Sequence, residues 1–171
     1  VADTDAIKKA IDENIIGASV LDVWENEPCI DKKLLAKTDI ATPHIAGYSF
    51  DGKVLGMIMI YKAVCDYFNI EKKYSANDFL ARPELPNLKI DCSDKTYQQI
   101  INQAVSAVYD IKADDIALRK ILNTKKQDYG DIFDGLRKNY PIRREFTNTT
   151  VTLTNGTDKI QKKLAGLGFK I

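Results

Sequence analysis

Two short apolar runs within the first 45 residues constrain the fold more than any other feature of the chain. Residues 18–24 read Ala-Ser-Val-Leu-Asp-Val-Trp, and residues 39–42 read Asp-Ile-Ala-Thr. Short runs rich in β-branched residues suit strands that are covered on both faces, as in a parallel sheet. An amphipathic helix is predicted before them, over residues 4–13, with Thr4 as its N-cap. The order helix, strand, loop, strand is typical of the last part of a doubly wound α/β domain.

This pair of strands leaves the predicted sheet incomplete. Parallel strands need crossover connections and further partner strands, and no strand pattern precedes residue 18. We therefore expect residues 1–45 to pack against another copy of the chain or against its later part. Because the chain begins at Val1 without an initiator methionine, we also expect it to be part of a longer protein.

The rest of the chain predicts a long helix, a linker and a second compact unit. Apolar residues recur at three- and four-residue steps from Ser49 to about Phe68, and Ser49 is a suitable N-cap. Residues 70–87 have no clean periodicity and contain two prolines, as linkers do. Residues 88–171 then predict a small α+β unit of about three strands. Its predicted strands are 88–92, 145–154 and 169–171, and its predicted helices are 95–109, 114–122, 131–139 and 159–165.

Charge and cysteine content narrow the classes of function. The 25 basic and 24 acidic residues nearly cancel, so the chain lacks the electrostatic footprint of a protein that binds nucleic acid or an acidic membrane. No apolar run is long enough to span a bilayer, and no signal peptide is evident. The cysteines at positions 29, 65 and 92 are odd in number and widely spaced, which is typical of reduced thiols in a cytosolic protein. A zinc site built on Cys29 and His44 would need two further ligands that the sequence does not offer.

The single histidine lies in a turn-like segment, seventeen residues after Glu27. Residues 42–48 read Thr-Pro-His-Ile-Ala-Gly-Tyr, so a proline and a glycine frame His44. A carboxylate beside an imidazole favours the imidazolium form, and the two groups together could take or supply a proton near neutral pH. The spacing alone is equally compatible with a lone histidine and an unrelated glutamate.

Two motifs resemble those of a known enzyme family. Residues 21–28 (Leu-Asp-Val-Trp-Glu-Asn-Glu-Pro) and residues 42–48 are similar to two strand ends of the NAD-dependent D-2-hydroxyacid dehydrogenases, in the same order and at a fitting separation. Residues 108–120 and 136–146 resemble one member of that family. That member oxidises a small phosphorylated hydroxy acid and forms a homodimer through an additional C-terminal domain.

The resemblance implies a domain organisation and a set of functional residues. Residues 1–47 would be the C-terminal end of an NAD-binding domain, residues 48–87 a connecting helix and linker, and residues 88–171 the dimerisation domain. The functional residues would be catalytic Glu27 and His44, the NAD contacts Asp22 and Gly47, and the substrate contact Tyr48. In this scheme Glu27 holds and polarises His44, which acts as the acid/base. A strand-end cap at Asp22 and ordinary packing at Tyr48 remain open as alternatives.

The resemblance also places two essential parts upstream of the chain. The family's catalytic arginine lies just before the sequence that matches Val1–Asp3, and its Gly-rich dinucleotide fingerprint lies further upstream. We therefore expect residues 1–171 alone neither to bind NAD tightly nor to catalyse the reaction. Arg143 and Arg144, with Arg137 nearby, are candidates for binding a phosphate group, and a solvated charged patch is the alternative.

Two other interpretations remain open. The chain could be an association module that holds two subunits together through its long helix and its α+β unit. It could also belong to a dehydrogenase for another D-2-hydroxy acid, with a regulatory domain at its C-terminus. Three successive helices between residues 95 and 139 fit the βαββαβ order of such regulatory domains poorly.

Overall fold

The computed structural model describes residues 2–171 and divides into two compact units. Unit 1 contains residues 2–47 and 111–141, and unit 2 contains residues 48–110 and 142–171. Within the described residues there are seven α-helices and four strands. The helices are α1 (Thr4–Asp12), α2 (Lys32–Lys37), α3 (Phe50–Tyr67), α4 (Tyr97–Val108), α5 (Ile111–Arg119), α6 (Tyr129–Lys138) and α7 (Asp158–Gly166), and the strands are β1 (Val20–Leu21), β2 (Ile40–Ala41), β3 (Asn87–Asp91) and β4 (Thr150–Thr154). None of the helices in residues 2–171 is both long enough and apolar enough to cross a membrane.

Unit 1 contains a parallel pair of two-residue strands joined by a helix. β1 and β2 pair through Val20 with Ile40 and Leu21 with Ala41, as the two apolar runs predict, although both strands are shorter than expected. The sequence does not predict α2, because six residues are too few to show a helical period. The N-cap of α1 is Asp3, so the prediction of Thr4 is wrong. The Asp3 carboxylate is the group that accepts a hydrogen bond from the first turn.

The helices α5 and α6 complete the core of unit 1. Leu118 of α5, Phe133 of α6 and Ile121, in the short 3-10 helix that follows α5, are fully buried and pack with apolar residues of the segment 2–47. The buried members of this core are Trp24, Ile30, Leu34, Leu35, Ala41, Leu118, Ile121, Tyr129 and Phe133. The expectation that the first 45 residues pack against a later part of the chain is therefore confirmed. Residues 111–141 lie in unit 1 and not in a continuous unit from 88 to 171, because their apolar side chains close the core that α2 and β2 begin.

A charged pair on α5 satisfies backbone groups around β2. Asp115 Oδ1 accepts a hydrogen bond from the Ala41 amide at 2.8 Å, and its Oδ2 accepts one from Arg119 Nε at 2.8 Å. The Arg119 guanidinium also donates to the carbonyl oxygens of Leu35 and Thr38, at 3.1 and 2.7 Å. Backbone groups that lose water without gaining a partner are costly. The pair therefore allows α5 to cover β2 without leaving these groups unsatisfied.

Unit 2 contains the long helix α3 and a second parallel sheet. α3 begins after Ser49, whose hydroxyl accepts a hydrogen bond from the Gly52 amide, as predicted. β3 and β4 pair in parallel over five residues, and the predicted third strand is only an isolated bridge between Thr150 and Lys170. The buried members of this core, contributed mainly by the sheet, α4 and α7, are Ile90, Cys92, Ile100, Ala104, Val151, Ile160, Leu164 and Phe169. The chain is thus an α/β protein with small parallel sheets, and its membership of a doubly wound domain remains a prediction.

A buried ion pair connects the start of α3 to residues 144–148 within unit 2. Asp51 is only 6% exposed, and its two carboxylate oxygens accept hydrogen bonds from Arg144 at 2.9 and 3.0 Å. The Glu145 amide and the Asn148 side chain donate to the same carboxylate at 2.9 and 3.0 Å. Burial opposes ionisation of Asp51, but these hydrogen bonds, led by that of Arg144, outweigh it and hold the pKa of Asp51 below its ordinary value. The carboxylate therefore stabilises the folded form.

Removal of the guanidinium should destabilise unit 2. Arg144→Ala leaves Asp51 buried without its main partner, a change that typically costs about 3–5 kcal/mol in the free energy of unfolding. Urea unfolding followed by circular dichroism measures the difference. Arg82→Ala is the control, because Arg82 is exposed and substitutions at such positions change stability by less than about 0.5 kcal/mol.

The loss of stability caused by Arg144→Ala should depend on pH. A depressed pKa means that the Asp51 contribution is fully present above the ordinary value of 3.8 and is lost as the pH falls through the pKa of the folded state. The stability difference between wild type and Arg144→Ala should therefore narrow below that pH. A difference that stays constant into acid would show that the pair does not depend on the Asp51 charge.

Candidate active site

The carboxyl ends of β1 and β2 bring Glu27 and His44 together. The two strands are parallel and adjacent, so the segments that follow them emerge at the same edge of the sheet. Glu27 Oε2 lies 2.8 Å from His44 Nδ1. The pair expected from the sequence is therefore present, and its two members come from segments that follow neighbouring strands.

The contact with Glu27 determines which ring nitrogen of His44 can react. A carboxylate only accepts hydrogen bonds, so the ring proton in this contact resides on Nδ1. Nε2 is then the nitrogen that can exchange a proton with a substrate. The His44 side chain is 46% exposed and the Glu27 side chain 19%. The ring is thus reachable from outside while the carboxylate behind it is partly shielded.

Trp24 holds both segments that carry the pair. Its backbone amide donates to Glu27 Oε1 at 2.8 Å, so both oxygens of that carboxylate are engaged. Its indole Nε1 donates to the carbonyl oxygen of Thr42 at 2.9 Å in a buried contact. Trp24 is 4% exposed and belongs to the core of unit 1. The core therefore fixes the position of Glu27 and of the residues just before His44.

Asp22 lies beside the same turn. Its Oδ1 accepts hydrogen bonds from the Thr42 hydroxyl at 2.6 Å and the Ile45 amide at 2.8 Å. Its Oδ2 accepts one from the Ala46 amide at 3.1 Å. The alternative in which Asp22 caps backbone at a strand end is consistent with these contacts, and its role as a cofactor contact stays a prediction.

Gly47 and Tyr48 are consecutive residues that belong to different units, Gly47 to unit 1 and Tyr48 to unit 2. Among the described residues, a Cβ placed on Gly47 would meet no heavy atom within 4 Å apart from its chain neighbours, so a ligand could approach this backbone closely. Tyr48 begins unit 2, where Lys53 Nζ lies 4.0 Å from the centre of its ring. Their predicted contacts with cofactor and substrate stay predictions.

The arginines considered for phosphate binding have protein partners. Arg144 has a side-chain exposure of 8% and donates to Asp51, to the Asn148 side chain and to the Ala81 carbonyl. It is therefore neither a free anion ligand nor part of a solvated patch. The guanidinium of Arg143 lies 4.6 Å from the centre of the Tyr109 ring.

Two structural residues of the site are absent from the sequence-based prediction. Trp24 and Thr42 both lie within the recognised motifs, but a motif match does not show which side chain supports which. A buried tryptophan usually finds a partner for its indole N–H, so Trp24 could have been identified from its type alone. Within residues 2–171 no group of three or more His, Cys, Asp or Glu side chains is arranged to hold a metal ion.

The tautomer of His44 provides a direct test of the pair. His44 is the only histidine, so its ring nitrogens can be observed by ¹⁵N NMR without ambiguity. In the wild-type chain the neutral ring should carry its proton on Nδ1. Glu27→Ala removes the acceptor, and the ring should shift toward the Nε2–H tautomer that free histidine favours. Glu71→Ala, at an exposed position, should leave the tautomer unchanged, whereas an Nε2–H ring in the wild-type chain would contradict the geometry.

The chain is similar in sequence to known proteins. The model of a domain of unknown function, DUF3410, matches residues 79–168. A protein of Marinobacter nauticus named erythronate-4-phosphate dehydrogenase is 36% identical over 171 residues, which is all of this chain and 44% of the relative. Proteins of the same name from Colwellia psychrerythraea and Pseudomonas aeruginosa are 43% and 37% identical over 81% and 100% of the chain, and over 33% and 44% of their own lengths.

The chain thus spans less than half the length of these relatives, and it matches their C-terminal part. The family match covers more than half of the chain, and the named relatives align with most of it. The chain belongs to the DUF3410 family and is similar, over most of its length, to the C-terminal part of proteins named erythronate-4-phosphate dehydrogenase.

Proposed function

We propose that the chain is the C-terminal part of an NAD-dependent D-2-hydroxyacid dehydrogenase and supplies its acid/base pair. The observation that carries the proposal is the 2.8 Å contact between Glu27 and His44 at the carboxyl edge of a parallel strand pair. Ligands of open α/β sheets bind at this edge. The relatives named above are all dehydrogenases by name, which supports the same reaction class.

His44 performs the proton transfer in this proposal. A 2-hydroxy acid becomes a 2-oxo acid when the C2 hydrogen leaves as hydride and the hydroxyl proton leaves to a base. Nε2 of His44 takes the hydroxyl proton, because Nδ1 already carries a proton bonded to Glu27. The Glu27 carboxylate stabilises the imidazolium that forms, as the acid partner of a histidine does in other enzymes. In the reverse direction the same nitrogen returns the proton.

NAD supplies the hydride acceptor when bound, and the chain presents only part of a site for it. The open backbone at Gly47 fits the close approach of a bound group. The resemblance places the catalytic arginine and the Gly-rich fingerprint upstream of residue 1. We therefore propose that residues 1–171 alone do not bind NAD tightly and do not turn over.

The substrate proposed for the full-length enzyme is 4-phospho-D-erythronate. Its oxidation gives 2-oxo-3-hydroxy-4-phosphobutanoate, a step in the biosynthesis of pyridoxal 5′-phosphate. The names of the relatives and the resemblance of residues 108–120 and 136–146 support this substrate over another D-2-hydroxy acid. Tyr48 is the residue of this chain that we propose contacts it, and the cytoplasm is the proposed location.

The proposed partner is a second copy of the protein, bound through the C-terminal domain. One observation also favours a separate role for the chain as an association module, namely the apolar surface of α3. Met57, Met59, Ile60 and Tyr67 are 62–82% exposed, and a helix that is apolar on all sides is typical of one buried in a larger assembly. The two roles are compatible if the enzyme dimerises through this part.

Activity of the full-length protein tests the proposal. With 4-phospho-D-erythronate and NAD⁺ it should form NADH, measured by absorbance, while residues 1–171 alone should form none. His44→Ala in the full-length protein should lower kcat by roughly 10²–10⁴-fold, because it removes the general base. Glu71→Ala serves as the matched surface control. A full-length wild-type protein that folds and binds NAD but forms no NADH from this substrate would refute the assignment.

Sedimentation of residues 1–171 tests the association role. Analytical ultracentrifugation should give a species of twice the chain mass of 19.2 kDa, and dilution should shift it toward the monomer. A chain that remains monomeric at the highest concentration reached would contradict dimerisation through this part and would leave the acid/base proposal unaffected.

A further inference from the structure

The backbone of His44 is held in an unusual conformation. Its φ is +55°, in the left-handed region that costs a residue with a Cβ about 1–2 kcal/mol. Such conformations persist only where surrounding contacts determine them, and they are concentrated at functional sites. The contacts that hold His44 in this conformation therefore decide where its ring lies.

We propose that Asp22 is the positioning residue of His44, acting through the backbone of the turn and not through the ring. Its carboxylate binds the chain on both sides of His44. The Thr42 hydroxyl donates to Oδ1 from the segment before the histidine, and the amides of Ile45 and Ala46 donate to Oδ1 and Oδ2 from the segment after it. A side chain with only one acceptor atom could not make these three contacts.

The geometry of the two amides explains why a carboxylate is needed. Successive backbone N–H groups that converge on one anion form a concave site, and such sites occur where the chain passes through a left-handed residue. The left-handed residue here is His44 itself, directly before Ile45 and Ala46. A charged acceptor makes stronger hydrogen bonds than a neutral one. Asp22 thus offsets the cost of the turn that directs the imidazole toward Glu27.

The role as a positioning residue is compatible with a ligand contact by the same carboxylate. An ionised carboxylate has about four acceptor positions, and the three contacts above use three of them. The structural half of the inference, that Asp22 sets the turn, is independent of any activity. Its catalytic half rests on the proposed dehydrogenase function.

Three variants separate the contacts. Asp22→Ala removes all three acceptor contacts. Asp22→Asn keeps one acceptor oxygen but replaces the other with an NH₂ group, a donor that faces a backbone amide. Thr42→Val removes only the hydroxyl that donates to Asp22. Asp39→Asn is the matched control, because Asp39 also accepts a hydrogen bond from a backbone amide, that of Ser19 at 2.7 Å, at the other end of the strand pair. Circular dichroism establishes whether each variant is folded. If Asp22→Ala does not fold, Asp22→Asn and Thr42→Val still test the proposal.

Two NMR measurements on residues 1–171 test the structural half. Amide hydrogen exchange at Ile45 and Ala46 should accelerate by roughly fivefold in Asp22→Ala and Asp22→Asn, which corresponds to the loss of a hydrogen bond worth about 1 kcal/mol. The population of the Nδ1–H tautomer of His44 should fall in the same variants, less in Thr42→Val, and not in Asp39→Asn. Unchanged exchange and an unchanged tautomer in folded Asp22→Asn would overturn the proposal.

Kinetics of the full-length enzyme test the catalytic half. Asp22→Asn should lower kcat while KM for the hydroxy acid stays close to the wild-type value, because the ring is displaced but the substrate contacts remain. An unchanged kcat together with the altered NMR signature would show that Asp22 sets the turn without affecting the chemistry, which overturns the catalytic half. Failure of the dehydrogenase proposal itself is distinguishable, since wild-type enzyme would then form no NADH.

Discussion

The parallel pairing of β1 with β2 is the constraint on which the candidate site depends. The carbonyl oxygens of Ser19, just before β1, and of Leu21, in β1, accept hydrogen bonds from the amides of Ile40, in β2, and Thr42, just after β2. This register places the end of one strand beside the end of the other. The carboxylates that follow β1 then lie within hydrogen-bond distance of the turn that follows β2. An antiparallel pair of the same length would put these segments at opposite edges of the sheet.

The sequence was sufficient to predict elements that have a long pattern or a specific motif. α3 is eighteen residues long and has a serine N-cap, so both its apolar repeat and its first residue can be predicted from the sequence. Glu27 and His44 were identified by two motifs that agree. α2 has only six residues and shows almost no helical period, whereas β1 and β2, with two residues each, were predicted from their apolar composition and not from a period.

Long-range contacts are the part that the sequence could not predict. The amphipathic pattern of α5 and α6 indicates which face is buried, but it does not name the partner, and here the partner is the first segment and not the following strands. Arg144 is a similar case. An arginine pair in a loop is normally solvated, and only the presence of Asp51 in the first turn of α3 makes one of the two arginines buried. Each of these outcomes depends on a residue more than 70 positions away, which local patterns do not encode.

The two carboxylates that follow β1 act on His44 in different ways. Glu27 contacts the ring and determines which nitrogen carries the proton, whereas Asp22 contacts the backbone on both sides of the ring. Both carboxylates also have other hydrogen-bond donors: Glu27 accepts from the Trp24 amide, and the three contacts of Asp22 are to the Thr42 hydroxyl and two backbone amides. The ring and the turn are thus held by separate carboxylates, and Trp24, which is buried and bonded to both segments, keeps those segments together.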